Sequence, residues 1–486
     1  MMRAAVTPMV EMKAKLSDHD GYLTDVPYVR GFIASLAPAL LDHVAVVSGF
    51  APPDRENAFT YCDLGCGQGV TAAVLAATHP NGVFHGIDFM PGHIDHAHRL
   101  SAEGAISNAI FHCADFRSAT SLGLPRFDYI VCHGVYAWVN AEVQADLRSF
   151  IDAHLKPGGL VYLSYNALPG WASEIPFQHL VRALSKGLAG DSTQQVASAI
   201  EMVRAMAAHK VPALVDSFVL KELENRKDAY SPFYLAHEYL QADWLPLFVT
   251  EVRAAMSGIG VVPVGSATLM ENFDSFVVGA KARETLASIA DDDVRELVRD
   301  YYVDQRFRRD IFTRDGRKMD QEEQRRRLLD STFSLRIPNG KIEFSRQTPA
   351  GRLKFDNETA RAIVAFLANG PRRLADIAHT SELDSQDIVA NALTLCSAGI
   401  QAPVEHSQVS IAKLNQTILD RLEGPEPIHV LALPCGTAIS LDAATLRRLQ
   451  NGDDAAPNTR DSKEGSSEKD ELADLRLFLR SQGALA

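Results

Sequence analysis

The feature that most constrains this chain is an apolar strand that runs through a glycine-punctuated turn into an alanine-rich helix. FTYCDLG, from Phe59, reads as a strand ending in a turn, and GVTAAVLAATHP, from Gly69, as the helix that follows. The same alternation continues: VFHGIDF then HIDHAHRLSAEG, AIFHCADF, FDYIVCHG then AEVQADLRSFIDAHL, and LKPGG turning into LVYLSYN. Strands and helices that alternate over short connections predict an open α/β sheet with its ligand site beyond the C-terminal strand ends.

The loop at Tyr61–Val70, YCDLGCGQGV, carries Gly65, Gly67 and Gly69 but does not match the GxGxxG pyrophosphate cradle. Glycines permit a tight turn and close ligand approach. Asp63 just before them favours a cationic group over a phosphate, so the loop points to a nucleoside ligand carrying an amine or sulfonium. Asp88, 25 residues after Asp63, ends the next strand, where a carboxylate can accept hydrogen bonds from both ribose hydroxyls. Asp115 ends the third, where it can take an adenine amino hydrogen with Phe116 bordering the ring and Ala114 leaving room. Each aspartate alone reads equally well as a turn or cap residue. Their recurrence at three successive strand ends is what favours a ligand.

These motifs resemble those of class I S-adenosylmethionine-dependent methyltransferases. DLGCGQG is similar to the family's first motif, GIDF to its ribose-binding acid, HCADF to its adenine-binding acid, and LKPGG to the turn before strand five. The resemblance implies that Asp63, Gly65, Cys66, Gly67 and Gly69 surround the methionine part. It assigns Asp88 and Phe89 to the ribose, and Ala114, Asp115 and Phe116 to the adenine, with His133 within reach of cofactor or acceptor. HGVYAWV, YNALPGW, SPFYLAHEYL and VGSATLMENF further resemble the branch whose catalytic domain is followed by a methyltransferase regulatory domain. That branch includes bacterial protein-lysine methyltransferases acting on outer-membrane proteins. YLTDVPY and YNALPGWA depart from the branch's usual forms, which weakens transfer of the substrate.

The fold expected is therefore α/β: a Rossmann-like class I methyltransferase sheet with a helical middle region and a C-terminal winged-helix-like domain. With 486 residues there is room for about three domains of roughly 150 residues. The expected divisions are 1–50, an N-terminal helical cap; 51–215, the S-adenosylmethionine-binding domain; 216–345, the regulatory domain; 346–450, the winged-helix-like domain; and 451–486, an acidic linker with a terminal helix. Residues 451–474 hold eight acids and three bases among Gly, Ser, Pro and Asn, the composition of a linker. QRFRRDIFTRDGRK and QEEQRRRLL read as a charged helical surface, with a site for an anionic partner as the lesser alternative.

Acids outnumber bases 61 to 48, which disfavours a nucleic-acid acceptor, because backbone-tracking surfaces are basic. Six cysteines without a CxxC pair make no disulfide scaffold, and no apolar run suits a leader or membrane span, so a cytoplasmic location without membrane insertion is expected. GxxxxGKS/T, GxSxG and HExxH are absent. His93, His96 and His98 read as a polar helix over the sheet rather than a metal site, and no metal is expected.

Two loops at strand ends form the expected chemical rim. His133, Tyr136 and Trp138 stand on one, and Tyr165, Asn166 and Trp171 on the other. Tyr165 and Asn166 are the expected acceptor-facing pair, with Tyr136 shaping the slot and His133 a hydrogen-bonding or structural residue. Trp138 and Trp171 read mainly as core or lid packing. The acceptor expected is a protein amine such as lysine. A small metabolite and a non-catalytic cofactor-binding scaffold stay open, as does a homodimer built through the appended regions.

Overall fold

FTYCDL buries nearly every side chain, as a strand covered on both faces must, and it forms the centre of the sheet. The computed structural model describes residues 23, 25–225, 230–405, 411–424, 427–451 and 464–484. Residues 1–22 and 24 of the expected N-terminal cap and 452–463 of the expected acidic linker lie outside the described residues, and the remainder of that linker, 464–474, is not linker but the start of the helix Glu464–Ser481. Strands β1 (Phe59–Leu64), β2 (Gly82–Asp88), β3 (Ala109–Cys113), β4 (Phe127–Cys132) and β5 (Leu155–Asn166) are parallel neighbours. Two more strands, β6 (Val262–Ser266) and β7 (Phe307–Thr313), complete a seven-stranded sheet of order β3-β2-β1-β4-β5-β7-β6. β7 runs antiparallel to β5 and β6. Helices Val70–Thr78, Pro91–Glu103 and Ala141–His154 connect the parallel strands.

The sheet is therefore not closed within 51–215: its last two strands come from the span expected to be a separate regulatory domain. RRDIF, read from sequence as part of a charged helical surface, is the body of β7. The reason is a buried ion cluster. Arg308 is 1% exposed, with Nη1 2.5 Å from Asp300, Nη2 2.7 Å from Glu296 and Nε 3.0 Å from Asp310. The guanidinium holds Glu296 down at about 2, while burial pushes Asp300 up to about 7. Replacing Arg308 with Met should cost about 3–5 kcal/mol in urea unfolding, because three carboxylates lose their cation in a dry site.

Gly69 begins the helix after β1 with φ 74°, and a Cβ there would collide with Ala97 and stand 2.9 Å from the Phe111 ring. Gly69→Ala should destabilise the fold by about 1–3 kcal/mol, read as a lower urea midpoint at unchanged slope.

Helices Ile175–Ser185, Ser192–Ala208 and Pro232–Tyr239 pack together as a helical layer beside the sheet, with a core around Val181, Val196, Val203 and Leu220. Beyond the sheet, β8 (Thr332–Leu335) is followed by the hairpin β9 (Ser345–Thr348) and β10 (Gly351–Lys354). Helix Glu358–Leu367, β11 (Arg372–Arg373), helices Leu374–Thr380 and Ser385–Ser397, and β12 (Gln401–Val404) follow. This helix–strand–helix–helix–strand order is winged-helix-like, but the strand between β11 and β12 is β8, from upstream. A second hairpin, β13 (Val430–Leu433) and β14 (Thr437–Ser440), packs against the first helix of the catalytic sheet. The terminal helix Glu464–Ser481 docks Phe478 and Leu479 into the C-terminal core. Among the described residues, no helix is long and apolar enough to cross a membrane.

Candidate active site

Four strand ends, those of β1 to β4, and one covering segment line a cleft of about 250 Å³ at the C-terminal edge of the sheet. Gly65 and Gly67, with φ of 77° and 52°, carry the turn after β1. A Cβ on Gly65 would stand 2.5 Å from Val135, so only glycine lets the two loops close on each other. Asp88 at the end of β2 accepts from the Gly67 amide at 2.9 Å and from the Met90 amide at 2.9 Å, tying the turn to the next strand. The His93 ring also reaches Oδ1, so three of the roughly four acceptor positions of the carboxylate are taken and one is left for a ribose hydroxyl.

The chain before the sheet lies across this cleft. Gln68 Nε2 donates to the Tyr28 carbonyl at 2.6 Å, and the Tyr28 amide donates to His93 Nε2 at 3.3 Å. His93 is then protonated on Nδ1, which stands 3.1 Å from Asp88 Oδ1. His96 is fully buried between the Gln68 carbonyl and Arg421, and His98 packs edge-on against Phe111. The three histidines thus serve three separate structural tasks. Among the described residues no group of His, Cys, Asp and Glu could hold a metal ion.

Of the cofactor residues expected from sequence, the cleft brings together Gly65, Gly67, Asp88, Phe89, Ala114, Asp115, Phe116 and His133. Asp115 also caps a short helix, its Oδ1 accepting from the Ser118 amide at 2.7 Å, so cap and cleft positions coincide in one residue. Cys66 does not line the cleft; its sulfur packs toward Phe111. Gly69 lies behind the turn as the helix start. Asp63 is 3% exposed beneath the turn, and burial together with the Asp88 charge pushes its carboxyl up to about 7. A buried carboxylate of that kind is stabilised by an arriving cation. The residues present therefore fit a nucleoside with a cationic end: an acceptor for a ribose hydroxyl at Asp88, an aromatic edge at Phe116 and negative charge under the glycine turn.

The expected rim needs two corrections. Tyr165 is fully buried on the opposite face of β5, where its hydroxyl donates to Asp310 at 2.7 Å. Tyr136 is also in the core, bonded to Arg148 at 2.7 Å. The reason for Tyr165 is strand parity: neighbouring side chains point to opposite faces, so Tyr165 and Asn166 cannot both face the acceptor. Asn166 lies on the same face as Tyr162 and Ser164, and its buried Nδ2 lacks a hydrogen bond of good geometry. His133 packs between Tyr162 (2.8 Å) and Ser164 (3.2 Å), and burial with nearby Arg309 lowers it to about 3, so it is neutral. Trp171 packs edge-on against Trp244 away from the cleft.

A second, narrow slot of about 20 Å³ is lined by Tyr28, Gly134, Trp138, Tyr234, His237, Glu238 and Gln241. Tyr28 and Gly134 line both slot and cleft, so the two adjoin. Burial pushes Glu238 up to about 7, against the pull of the neighbouring Asn166 and Tyr234 side chains. Tyr28 and Glu238 were missed from sequence. Glu238 lies within the SPFYLAHEYL stretch, where a lone carboxylate among aromatics was the available signal.

A family model for a methyltransferase domain matches residues 55–230, and one described as a predicted methyltransferase regulatory domain matches 231–314. The uncharacterized protein sll1526 of Synechocystis sp. is 30% identical over 375 residues, 77% of this chain and 74% of that protein. This chain is a class I S-adenosylmethionine-dependent methyltransferase with a regulatory domain. The uncharacterized protein RP028 of Rickettsia prowazekii is 28% identical to the methyltransferase over 218 residues, 44% of this chain and 86% of that one. The structure of PKMT2 from Rickettsia typhi in complex with AdoHcy shares its fold, with a TM-score of 0.72 at 19% identity over 94% of this chain and 99% of the other. The regulatory domain of this methyltransferase supplies β6 and β7 to the catalytic sheet as well as Glu238 to the slot.

Proposed function

We propose that this methyltransferase transfers a methyl group to a protein side-chain amine, lysine above all. The observation that carries this reading is the aromatic slot ending at Glu238 and adjoining the cofactor cleft. A slot that holds little more than one water has room for the ammonium end of an unbranched alkyl chain and not for a ring-bearing metabolite. Tyr28, Trp138 and Tyr234 offer ring faces to a cationic ammonium, and Glu238 offers it a carboxylate. The likeness to PKMT2 supports the same acceptor class.

The chemistry supplied by S-adenosylmethionine is an electrophilic methyl carried on a sulfonium. Gly65, Gly67, Asp88, Ala114, Asp115 and Phe116 would hold it, with Asp63 beneath its cationic end. An amine reacts only as its free base. Glu238, with a proton affinity near neutrality, accepts the proton from the ammonium at its carboxylate and returns it to solvent. Asn166, whose side chain neighbours Glu238, orients that carboxylate toward the acceptor. The closed aromatic walls exclude water from the transfer path. Six free cysteines accord with a reducing, cytoplasmic setting.

Incubating the purified protein with methyl-labelled S-adenosylmethionine and desalted cell extract tests this reading. Label should enter the macromolecular fraction and be released by protease but not nuclease. Label confined to added low-mass metabolites would favour a small-molecule acceptor instead.

A further inference from the structure

A cavity of about 800 Å³ lies between the catalytic sheet and the C-terminal domain, and it adjoins the cofactor cleft across His133, which lines both. Three arginines line it: Arg309 from β7, half-buried inside, and the exposed Arg336 and Arg346. No aspartate or glutamate lines it, in a chain with thirteen more acids than bases. None of the three arginines is ion-paired among the described residues. Arg309 makes one side-chain hydrogen bond, to the Thr268 hydroxyl at 3.0 Å, and stacks on Phe307. Glu405, just past β12, is already held by Arg55 at 2.6 Å and His79 at 3.1 Å. The cavity therefore carries uncompensated positive charge, which favours an anionic occupant.

Its walls indicate the shape of that occupant. β12 is the end strand of its sheet and β14 belongs to a two-stranded hairpin; both line the cavity. Edge strands present unpaired backbone donors and acceptors, which an extended polypeptide can satisfy and a compact anion cannot. The Ser397 hydroxyl, buried in the same wall, has no hydrogen-bond partner among the described residues. The arginines stand on separate elements from mouth to interior, an arrangement suited to charges spaced along a chain.

We infer that this cavity binds an acidic, extended segment of the protein acceptor. The inference rests on the protein-acceptor reading. It adds where the polypeptide is gripped and what charge its flanking sequence carries. Long-range attraction of this kind raises association rates and weakens with salt.

The test uses the full chain and a fluorescein-labelled twelve-residue peptide of alternating glutamate and serine, followed by anisotropy without cofactor. Binding should weaken at least tenfold between low and physiological salt. It should also fall about tenfold or more in the Arg336→Glu/Arg346→Glu variant, whose affinity for S-adenosylhomocysteine should be unchanged. Backbone amides of Gln401, Ala402 and Val404 and of 437–440 should exchange more slowly in the complex. Equal affinity for a lysine–serine peptide, equal affinity in the variant, competition by glutarate as strong as by the peptide, or protection elsewhere would each overturn it. Absent peptide binding with intact protein methylation sinks this inference alone. Absent protein methylation with intact peptide binding sinks the acceptor reading alone.

Discussion

Replacing Asp63 with asparagine is expected to weaken S-adenosylmethionine binding by roughly 10- to 150-fold at pH 8. This corresponds to the loss of about 1.5–3 kcal/mol for an interaction with a charged group. The pH dependence should change as well. The Asp63 carboxyl is pushed up to about 7 by burial and by Asp88. Below that pH the free protein holds a proton there, which a cationic ligand must displace, so wild-type affinity should fall by up to about tenfold per pH unit. The sign for stability is opposite. A carboxyl raised in the folded state binds its proton more tightly there than when unfolded. It therefore contributes stability below the unfolded value of about 4, and this is lost as the pH rises through about 7. Asp63→Asn should thus raise the melting temperature of the ligand-free protein at pH 8 while lowering its affinity. Calorimetry and thermal unfolding on the same samples check both. A variant that loses stability and keeps affinity would remove Asp63 from the site.

The second large effect is expected at Glu238. Glu238→Gln should lower kcat/KM for a protein acceptor by about 10²- to 10⁴-fold, the usual contribution of a positioned acid–base group. Affinity for S-adenosylhomocysteine should change less than about twofold, because Glu238 lines the slot and not the cleft. At saturating cofactor, wild-type turnover should rise with pH through about 7 as the carboxyl ionises, and the variant should lack that limb. Glu238→Asp should restore part of the rate and the limb. A full-rate glutamine variant would place the proton acceptor elsewhere.

The catalytic core was legible because its signals are local. Asp63, Asp88 and Asp115 each end an apolar run, and Gly65, Gly67 and Gly69 lie in one decapeptide, so strand ends and turn could be read together. β7 was not legible, because Arg308 and Asp310 interrupt its apolar pattern. They are tolerated in the interior only through Glu296 and Asp300, which come from a helix. The mistake at Tyr165 is one of parity. The sequence places Tyr165 and Asn166 at a strand end, but which one faces the cleft depends on the face that carries the buried Arg308–Asp310 cluster, which Tyr165 joins through Asp310. The slot depended on distance in sequence: Tyr28, Gly134 and Glu238 meet only after the covering segment and the regulatory domain close over the sheet.

Acid hydrolysis of protein labelled by the purified enzyme tests the central claim most directly. The account predicts methyl label on the side-chain nitrogen of lysine, lost in Glu238→Gln. Base-labile label released as methanol, the mark of a carboxyl ester, would contradict an amine acceptor held at Glu238.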